Sequence, residues 1–286
     1  MINLKGKNIL ITGGSGTWGT AFCEYIKAKK FKPQKITIFS RCPLKQDNLR
    51  EKLGDLDYMV YRLGNVAEEA RVIQAAAGID IMIHAAALKF IEKCEEDPFE
   101  AKRINVDGTE NVIKAALYRK IPKTILISTD KAVEPITHYG KTKALAEDLI
   151  LGGNKYKGKD DIRFSVCRYG NVIASSGSVV PIFKELKKKG AKYLPVTDER
   201  MTRFFYPVED AIKFVLDCLY KMQGGEIYIP RIKSIRITDL CKAFDMPYKI
   251  VGLRGNEKIH EKMSANYSSD NNEFYSVNEI KELIGG

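Results

Sequence analysis

Short apolar runs rich in β-branched residues recur along most of this chain. Between them, apolar residues return every three or four positions. The runs at 8–12, 35–39, 58–63, 80–84, 123–127, 162–168 and 226–229 predict strands. Several are continuously apolar instead of alternating, as expected of parallel strands covered on both faces. In the intervening stretches Phe22, Tyr25 and Ile26 share one helical stripe, and so do Val112, Ile113, Ala116 and Leu117. Ala144, Leu145, Asp148 and Leu149 predict the inner face of a later helix, with Asp148 the exception. Strand–helix alternation of this kind predicts an α/β fold built on a doubly wound, mostly parallel sheet. After about Val172 the alternation breaks down. Ser175-Ser176-Gly177, a lysine-rich helix and the segment from Asp198 to Arg203 read as insertions over one end of the sheet. The expected organisation is therefore a dinucleotide-binding domain over 1–172, with 205–230 contributing to its sheet. Residues 173–204 and 231–286 form a small C-terminal substrate-binding lobe.

With 44 % hydrophobic and 29 % charged residues, the chain of 286 can bury a sizeable core, which excludes wholesale disorder. No apolar run approaches the roughly 20 residues that cross a bilayer, and Met1 to Lys7 lead into a strand without a secretory apolar region. Cytoplasmic location and no membrane partner are the expectations. The formal charge of +11 favours anionic partners. Its lysines are spread through every segment, however, and Lys187-Lys188-Lys189 continues a helical pattern as a solvated face, so no nucleic acid is called for. The six cysteines stand far apart with no C-x-x-C pair, and the three histidines lack ligand spacing. The cysteines read as reduced structural thiols, and no metal is expected.

The first strand feeds Gly13-Gly14-Ser15-Gly16-Thr17-Trp18-Gly19, with a helix at once behind it. Gly13 permits the sharp turn, Gly16 lets the backbone approach a pyrophosphate, and Gly19 lets the helix pack on the strand, whose first N–H groups face the anion. This is the signature of a Rossmann dinucleotide site. At the end of the second strand a carboxylate would accept from an NAD ribose. Here Ser40-Arg41 stands, with Lys45 following, and a guanidinium suits the 2′-phosphate of NADP.

The segment Ser128-Thr129-Asp130-Lys131-Ala132-Val133 leads to Tyr139 and Lys143, a Y-x-x-x-K pair one helical turn apart. A neighbouring ammonium, together with a positive nicotinamide ring, is expected to lower the tyrosine pKa so that it serves as a base. With this pattern the chain resembles the extended short-chain dehydrogenase/reductase superfamily. Within it, the chain resembles the inverting UDP-N-acetylglucosamine 4,6-dehydratases of the polysaccharide-biosynthesis group. The resemblance rests on the T-D-K segment ten residues before Tyr139, on Ala86-Ala87-Leu88-Lys89, on Thr197-Asp198-Glu199-Arg200-Met201-Thr202-Arg203-Phe204, and on the run from Gly252 to Glu261.

The resemblance implies oxidation at C4, loss of water across C5 and C6, and reduction at C6, in bacterial-type surface glycan or nonulosonic acid biosynthesis. Tyr139 takes the 4-hydroxyl proton, Lys143 holds the nicotinamide ribose, and Thr129 hydrogen-bonds O4. Lys131 removes the C5 proton and protonated Asp130 donates to the departing 6-hydroxyl. NADP is bound tightly and regenerated each turnover. Its expected site adds Asn65, where relatives place an aspartate against adenine, with Val66, Ala85, Ala86 and Lys89. Lys89, Asn105, Asn171, Thr197, Met201, Arg203 and Arg254 are candidates for gripping the nucleotide sugar; Asn105 and Asn171 read equally as local caps, and Met201 as core. Gly255-Asn256-Glu257 replaces the usual Pro-Gly-Glu, and the chain ends some tens of residues before typical relatives, which implies a compact or altered nucleotide lobe. A homo-oligomer, dimer or hexamer, is implied as well. Two alternatives stay open: a nucleotide-sugar 4-epimerase, which shares Tyr139 and Lys143 but has no need of Asp130 or Lys131, and a catalytically silent NADP-binding module.

Overall fold

The structure, a computed structural model, describes residues 2–173, 175 and 177–285; Ser176, expected in the insertion that opens the second lobe, lies outside them. The central sheet takes β1 (Asn8–Thr12), β2 (Lys35–Ser40), β3 (Met59–Leu63), β4 (Ile81–His84), β5 (Lys123–Thr129) and β6 (Arg163–Tyr169). After β7 (Asn171–Val172), β8 (Leu194–Val196) and β9 (Thr202–Tyr206), the chain returns to it as β10 (Ile227–Tyr228). These seven strands lie in the order β10-β6-β5-β4-β1-β2-β3, every neighbouring pair parallel. The strand order reverses between β1 and β4. In doubly wound sheets the crevice beyond the carboxyl ends of the strands at that point receives the ligand.

Alternation along each strand explains why the strands are apolar throughout. Ile9 and Ile11 of β1 face the cluster built with α1 (Thr17–Ala28), α2 (Pro43–Leu53) and α9 (Val208–Lys221), whereas Leu10 faces the opposite cluster. That second cluster packs α3 (Glu69–Ala75), α6 (Gly108–Arg119) and α7 (His138–Gly152). Two short helices, α4 (Ile91–Glu96) and α5 (Pro98–Lys102), lead through a π-turn, Arg103–Asp107, into α6. His84 is sealed inside this layer between Thr12 Oγ1 (2.7 Å) and Thr109 Oγ1 (3.1 Å), and burial pushes its pKa down to about 3.

The inner face of α7 is not the expected one. Leu145 is 46 % exposed, and the helix turns Lys143, Ala146, Glu147 and Ile150 inward. The cause is an ion pair: Glu147 Oε1 accepts from Arg168 Nε of β6 at 3.0 Å, and Arg168 also donates to the Met263 carbonyl at 2.8 Å. A charged pair thus occupies an inner position that an apolar periodicity cannot reveal.

The rest of the chain makes a smaller lobe with its own apolar cluster, including Phe183, Leu194, Val196, Phe205, Ile235, Leu240 and Phe244. It contains α8 (Val179–Lys188), β11 (Ser234–Arg236), α10 (Ile237–Ala243), β12 (Tyr248–Ile250), the hairpin β13 (Lys262–Ser264) and β14 (Tyr267–Ser268), and α11 (Val277–Gly285). Strands β11-β9-β7 form one small sheet and β12-β8 another, so β7 and β9 carry the lobe directly from the end of β6. Lys187, Lys188 and Lys189 are exposed, though Lys187 Nζ also donates to the Phe244 carbonyl at 2.6 Å. Among the described residues no helix is long and apolar enough to cross a membrane.

Candidate active site

The turn after β1 is built to bring backbones together. Gly13 holds φ +68°, and a Cβ on it would lie 2.8 Å from Ala86 Cα and N, so the loop after β4 closes directly over the turn. Helix α1 begins behind extended Gly16, with no side-chain cap on this end and no acidic residue in its first turn. Its N–H groups and the positive end of its dipole are thus presented to an anion. Ser15 Oγ donates to Ser40 Oγ at 2.8 Å and Gln46 Nε2 donates to the same oxygen at 2.9 Å, which fixes the end of β2 beside the turn. Arg41 and Lys45 are exposed there, with Arg41 3.7 Å from Glu100. Lys89 is depressed by burial and, secondarily, by the Lys45 ammonium, which places two cations at the same end. This donor set fits a dinucleotide. Two expected contacts are backbone contacts at most: the Trp18 ring is buried on Phe22, with centroids 5.3 Å apart, and the Val66 side chain lies in the core beneath Gly108. Asn65 Oδ1 accepts from Ala67 N–H at 3.1 Å, shaping its own turn.

Strand β5 ends at Thr129, and Asp130–Ala132 wind into a single 3₁₀ turn capped by Thr129 Oγ1. This departure from strand geometry lets the adjacent Asp130 and Lys131 act on one side. Gly140 makes room for it: a Cβ there would sit 2.4 Å from the Lys131 carbonyl, so the turn presses against the first turn of α7, where Tyr139 lies. Asp130 is fully buried. Its Oδ1 accepts from Thr129 Oγ1 (2.9 Å) and Lys131 Nζ (3.0 Å), and among the described residues its Oδ2 has no hydrogen-bond partner. Burial pushes the Asp130 carboxyl up, against the pull of Lys131.

The protonation states expected of two residues need correction in the protein as it stands. Lys131 was expected to be a base, but Nζ donates to Asp130 Oδ1 (3.0 Å), Asn171 Oδ1 (3.2 Å) and Glu261 Oε1 (3.2 Å). The two carboxylates hold it as an ammonium, pulling its pKa up against desolvation, and an ammonium has no lone pair to accept a proton. Tyr139 was expected to have a lowered pKa, yet burial pushes it up to about 12, with Lys131 and a hydrogen bond to Thr129 opposing the rise. Lys143 is engaged elsewhere. Its Nζ donates to the Ile127 carbonyl at 2.8 Å, and burial lowers it to about 8, with Glu147 opposing.

Beside this centre lies a cavity of about 290 Å³ between the sheet ends and the smaller lobe. Lys131, Asn171, Thr197, Met201 and Arg203 line it. Thr197 Oγ1 donates to Met201 Sδ at 3.5 Å, and Met201 also belongs to the apolar cluster of the lobe. The Arg203 guanidinium is largely committed to backbone, donating to the carbonyls of Thr202 (2.7 Å), Ile259 (2.9 Å) and Lys258 (2.8 Å). Arg254 pairs with Glu92 of α4, both largely exposed. Asn105 does not belong in the substrate set: it is 1 % exposed, its Oδ1 accepts from Leu88 N–H, and its amide donates to the Leu88 carbonyl and Thr142 Oγ1. It ties the loop after β4 to α7. Among the described residues no group of three or more His, Cys, Asp or Glu side chains could hold a metal ion.

Glu261 and Lys258 are additional members of the centre. Glu261 is buried against Lys131, and Lys258 Nζ lies 3.8 Å from its other oxygen. The only sequence signal was their place in the run from Gly252 to Glu261, because their partner Lys131 lies far upstream.

A parallel sheet with a glycine turn on its first strand and a Tyr139/Lys143 pair after its fifth defines a dinucleotide-binding short-chain dehydrogenase/reductase fold. The chain belongs to the polysaccharide biosynthesis protein family, which matches residues 9–282. It is 44 % identical to the UDP-N-acetylglucosamine 4,6-dehydratase (inverting) of Campylobacter jejuni over 91 % of this chain and 78 % of that protein. It is 38 % identical to a UDP-glucose 4-epimerase of Rickettsia bellii, over 90 % of this chain and 77 % of that one. The X-ray structure of Pen from Bacillus thuringiensis superposes with a TM-score of 0.92 at 31 % identity, covering 99 % of both chains.

Proposed function

We propose that this protein is an NADP-dependent lyase that removes water from UDP-N-acetylglucosamine across C5 and C6, with inversion at C5. The carrying observation is the Asp130–Lys131 pair, brought beside Tyr139 at the end of β5, with Lys131 opening on the cavity and Asp130 buried behind it. Epimerisation needs a base for one hydroxyl; elimination needs in addition an acid for the leaving oxygen and a base for a carbon-bound proton. The identity to the Campylobacter jejuni dehydratase supports the same reading.

The residues divide the work as follows. Tyr139, as the phenolate that a bound nicotinamide cation would favour, accepts the 4-hydroxyl proton, and Lys143 holds the nicotinamide ribose. The cofactor supplies hydride acceptance from C4 and hydride return to C6. The C4 ketone acidifies the C5 proton, which Lys131 removes once it has become a free amine. Asp130, whose carboxyl burial favours the protonated form, donates to the 6-hydroxyl as water departs. Thr129 steadies O4, and Asn171 and Thr197 face the sugar from the cavity wall. Inversion requires C5 to be reprotonated on the face opposite Lys131. Arg41, Lys45 and Lys89 supply the charge for a 2′-phosphate, the basis for NADP over NAD. A homo-oligomer, dimer or hexamer, is the working assembly.

The test is incubation of purified protein with UDP-N-acetylglucosamine and NADP, followed by mass spectrometry and NMR of the sugar. Loss of one water with an inverted C5 is the expected result. An isomer of unchanged mass would make the protein an epimerase, and an untouched substrate would make it a binding module.

A further inference from the structure

Lys131 has a proton too many for its task. To take the C5 proton its Nζ needs a lone pair, and all three N–H directions are occupied by acceptors. One of those acceptors must therefore receive a proton first. The Asn171 amide oxygen is too weak a base, and Asp130 already has to carry the proton destined for the leaving hydroxyl. Glu261 remains. Its side chain is 4 % exposed, Oε1 lies 3.2 Å from Lys131 Nζ, and among the described residues Oε2 has no hydrogen-bond partner although it lies among cations. The groups facing it are Lys131 and Asp130 from the end of β5, Arg203 from β9 and Lys258 from its own segment. Ser269 Oγ accepts its backbone N–H at 2.9 Å, which fixes the backbone from which the carboxylate reaches Lys131. Buried carboxylates are costly unless paired; here Lys131, Arg203 and Lys258 hold this one as its anion, the form with an open site for a proton, while lowering its basicity.

We propose that Glu261 is the positioning residue of the elimination step: it anchors Lys131 against Asp130 and accepts the proton that converts Lys131 to a free amine. The inference rests on the dehydratase reading above. Its balance is simple. An N–H bond of Lys131 breaks and an O–H bond of Glu261 forms. The Nζ lone pair then takes the C5 proton, the C5–H electrons form the C5–C6 double bond, and the C6–O bond breaks. The departing oxygen takes the Asp130 proton and leaves as water. Glu261 ends protonated, Lys131 as ammonium and Asp130 as carboxylate, so every proton is placed. When product leaves, the proton passes from Glu261 through Lys131, which touches both carboxylates, to Asp130, and the starting charges are restored.

The experiment compares parent, Glu261→Gln and Glu261→Asp enzymes on UDP-N-acetylglucosamine, following reduced nicotinamide for C4 oxidation and mass for water loss. Glu261→Gln keeps the shape and an acceptor oxygen for Lys131. We expect C4 oxidation near the parent rate, with water loss down about a hundredfold or more and KM little changed. Its water loss should climb with pH as Lys131 sheds its proton to solvent, while Glu261→Asp restores part of the rate at neutral pH. Glu261→Gln dehydrating at the parent rate overturns the inference. So does equal loss of both half-reactions, or a pH profile parallel to the parent's. A parent enzyme that never releases water removes the dehydratase reading itself, which is a different failure.

Discussion

Replacing Glu147 by Gln should disturb stability and catalysis through one carboxylate. Glu147 is 4 % exposed and pairs with Arg168, itself 12 % exposed, and Arg168 reaches on to the Met263 carbonyl. The pair therefore joins α7, β6 and the β13–β14 hairpin. Removing one partner strands a buried guanidinium, which costs about 3–5 kcal/mol. With an unfolding entropy of about 2.1 cal/mol/K per residue, 286 residues give about 0.6 kcal/mol/K, so Tm should fall by about 5–8 °C. The same change removes the group that raises Lys143, whose pKa then drops below about 8. On the proposed reading Lys143 holds the ribose as an ammonium, a form it loses above its pKa. The alkaline limb of kcat/KM should therefore move to lower pH in the variant. Differential scanning calorimetry and a pH series on the same preparations read both effects. A double variant, Glu147→Leu with Arg168→Met, removes the stranded charge and should recover most of the Tm while leaving the alkaline limb displaced. An unchanged Tm in Glu147→Gln would refute the energetic argument, and an unmoved limb would refute the coupling to Lys143.

Three further outcomes are expected. Gly19→Ala places a Cβ 2.3 Å from the Gly14 carbonyl oxygen, so α1 must shift; overpacking of this kind costs about 1–3 kcal/mol, and cofactor affinity by titration should fall with it. Arg41→Ala should weaken NADP binding more than NAD binding; tighter NAD than NADP binding in the parent would contradict the assigned cofactor. His84 has a folded pKa of about 3 against an ordinary 6.5, so the unfolded chain binds its proton first on acidification. Stability contributed by neutral His84 is whole above 6.5 and declines toward 3, and His84→Asn should flatten the acid fall in Tm across that window.

The sheet was legible because its strands are buried on both faces: Ile9, Leu10 and Ile11 are apolar in sequence and lie on opposite sides of β1. The glycine turn was legible for a related reason, since Gly13 meets a steric demand that only the missing Cβ satisfies. The smaller lobe was not. Its strands β8, β12 and β14 have two or three residues each, too short for a period to register, and β8 and β12 pair across a long stretch of chain. Polar residues were misread wherever their partners came from elsewhere in the chain. Glu147 lay outside the stripe expected to face inward on α7, and Arg168 from β6 draws it in; Asn105 was open to a sugar-binding or a local capping role, and it fastens Leu88 to Thr142.

The reacting groups show the same dependence at the level of charge. Residue type named Lys131 and Tyr139, but their protonation is set by neighbours that meet only in the fold. Asp130 and Glu261 keep Lys131 charged, and Lys131 together with Thr129 moderates the rise that burial imposes on Tyr139. The centre is accordingly a single proton-sharing cluster, in which removing any one charge shifts the others. A change at Glu261 should therefore be read through Lys131, and a change at Lys131 through both Asp130 and Tyr139. The half-reactions can still be separated, because Lys143 is sensed by Glu147 across one turn of α7, apart from the carboxylates that hold Lys131. Variants on the Glu147 side should move the C4 oxidation limb, and variants on the Glu261 side the loss of water.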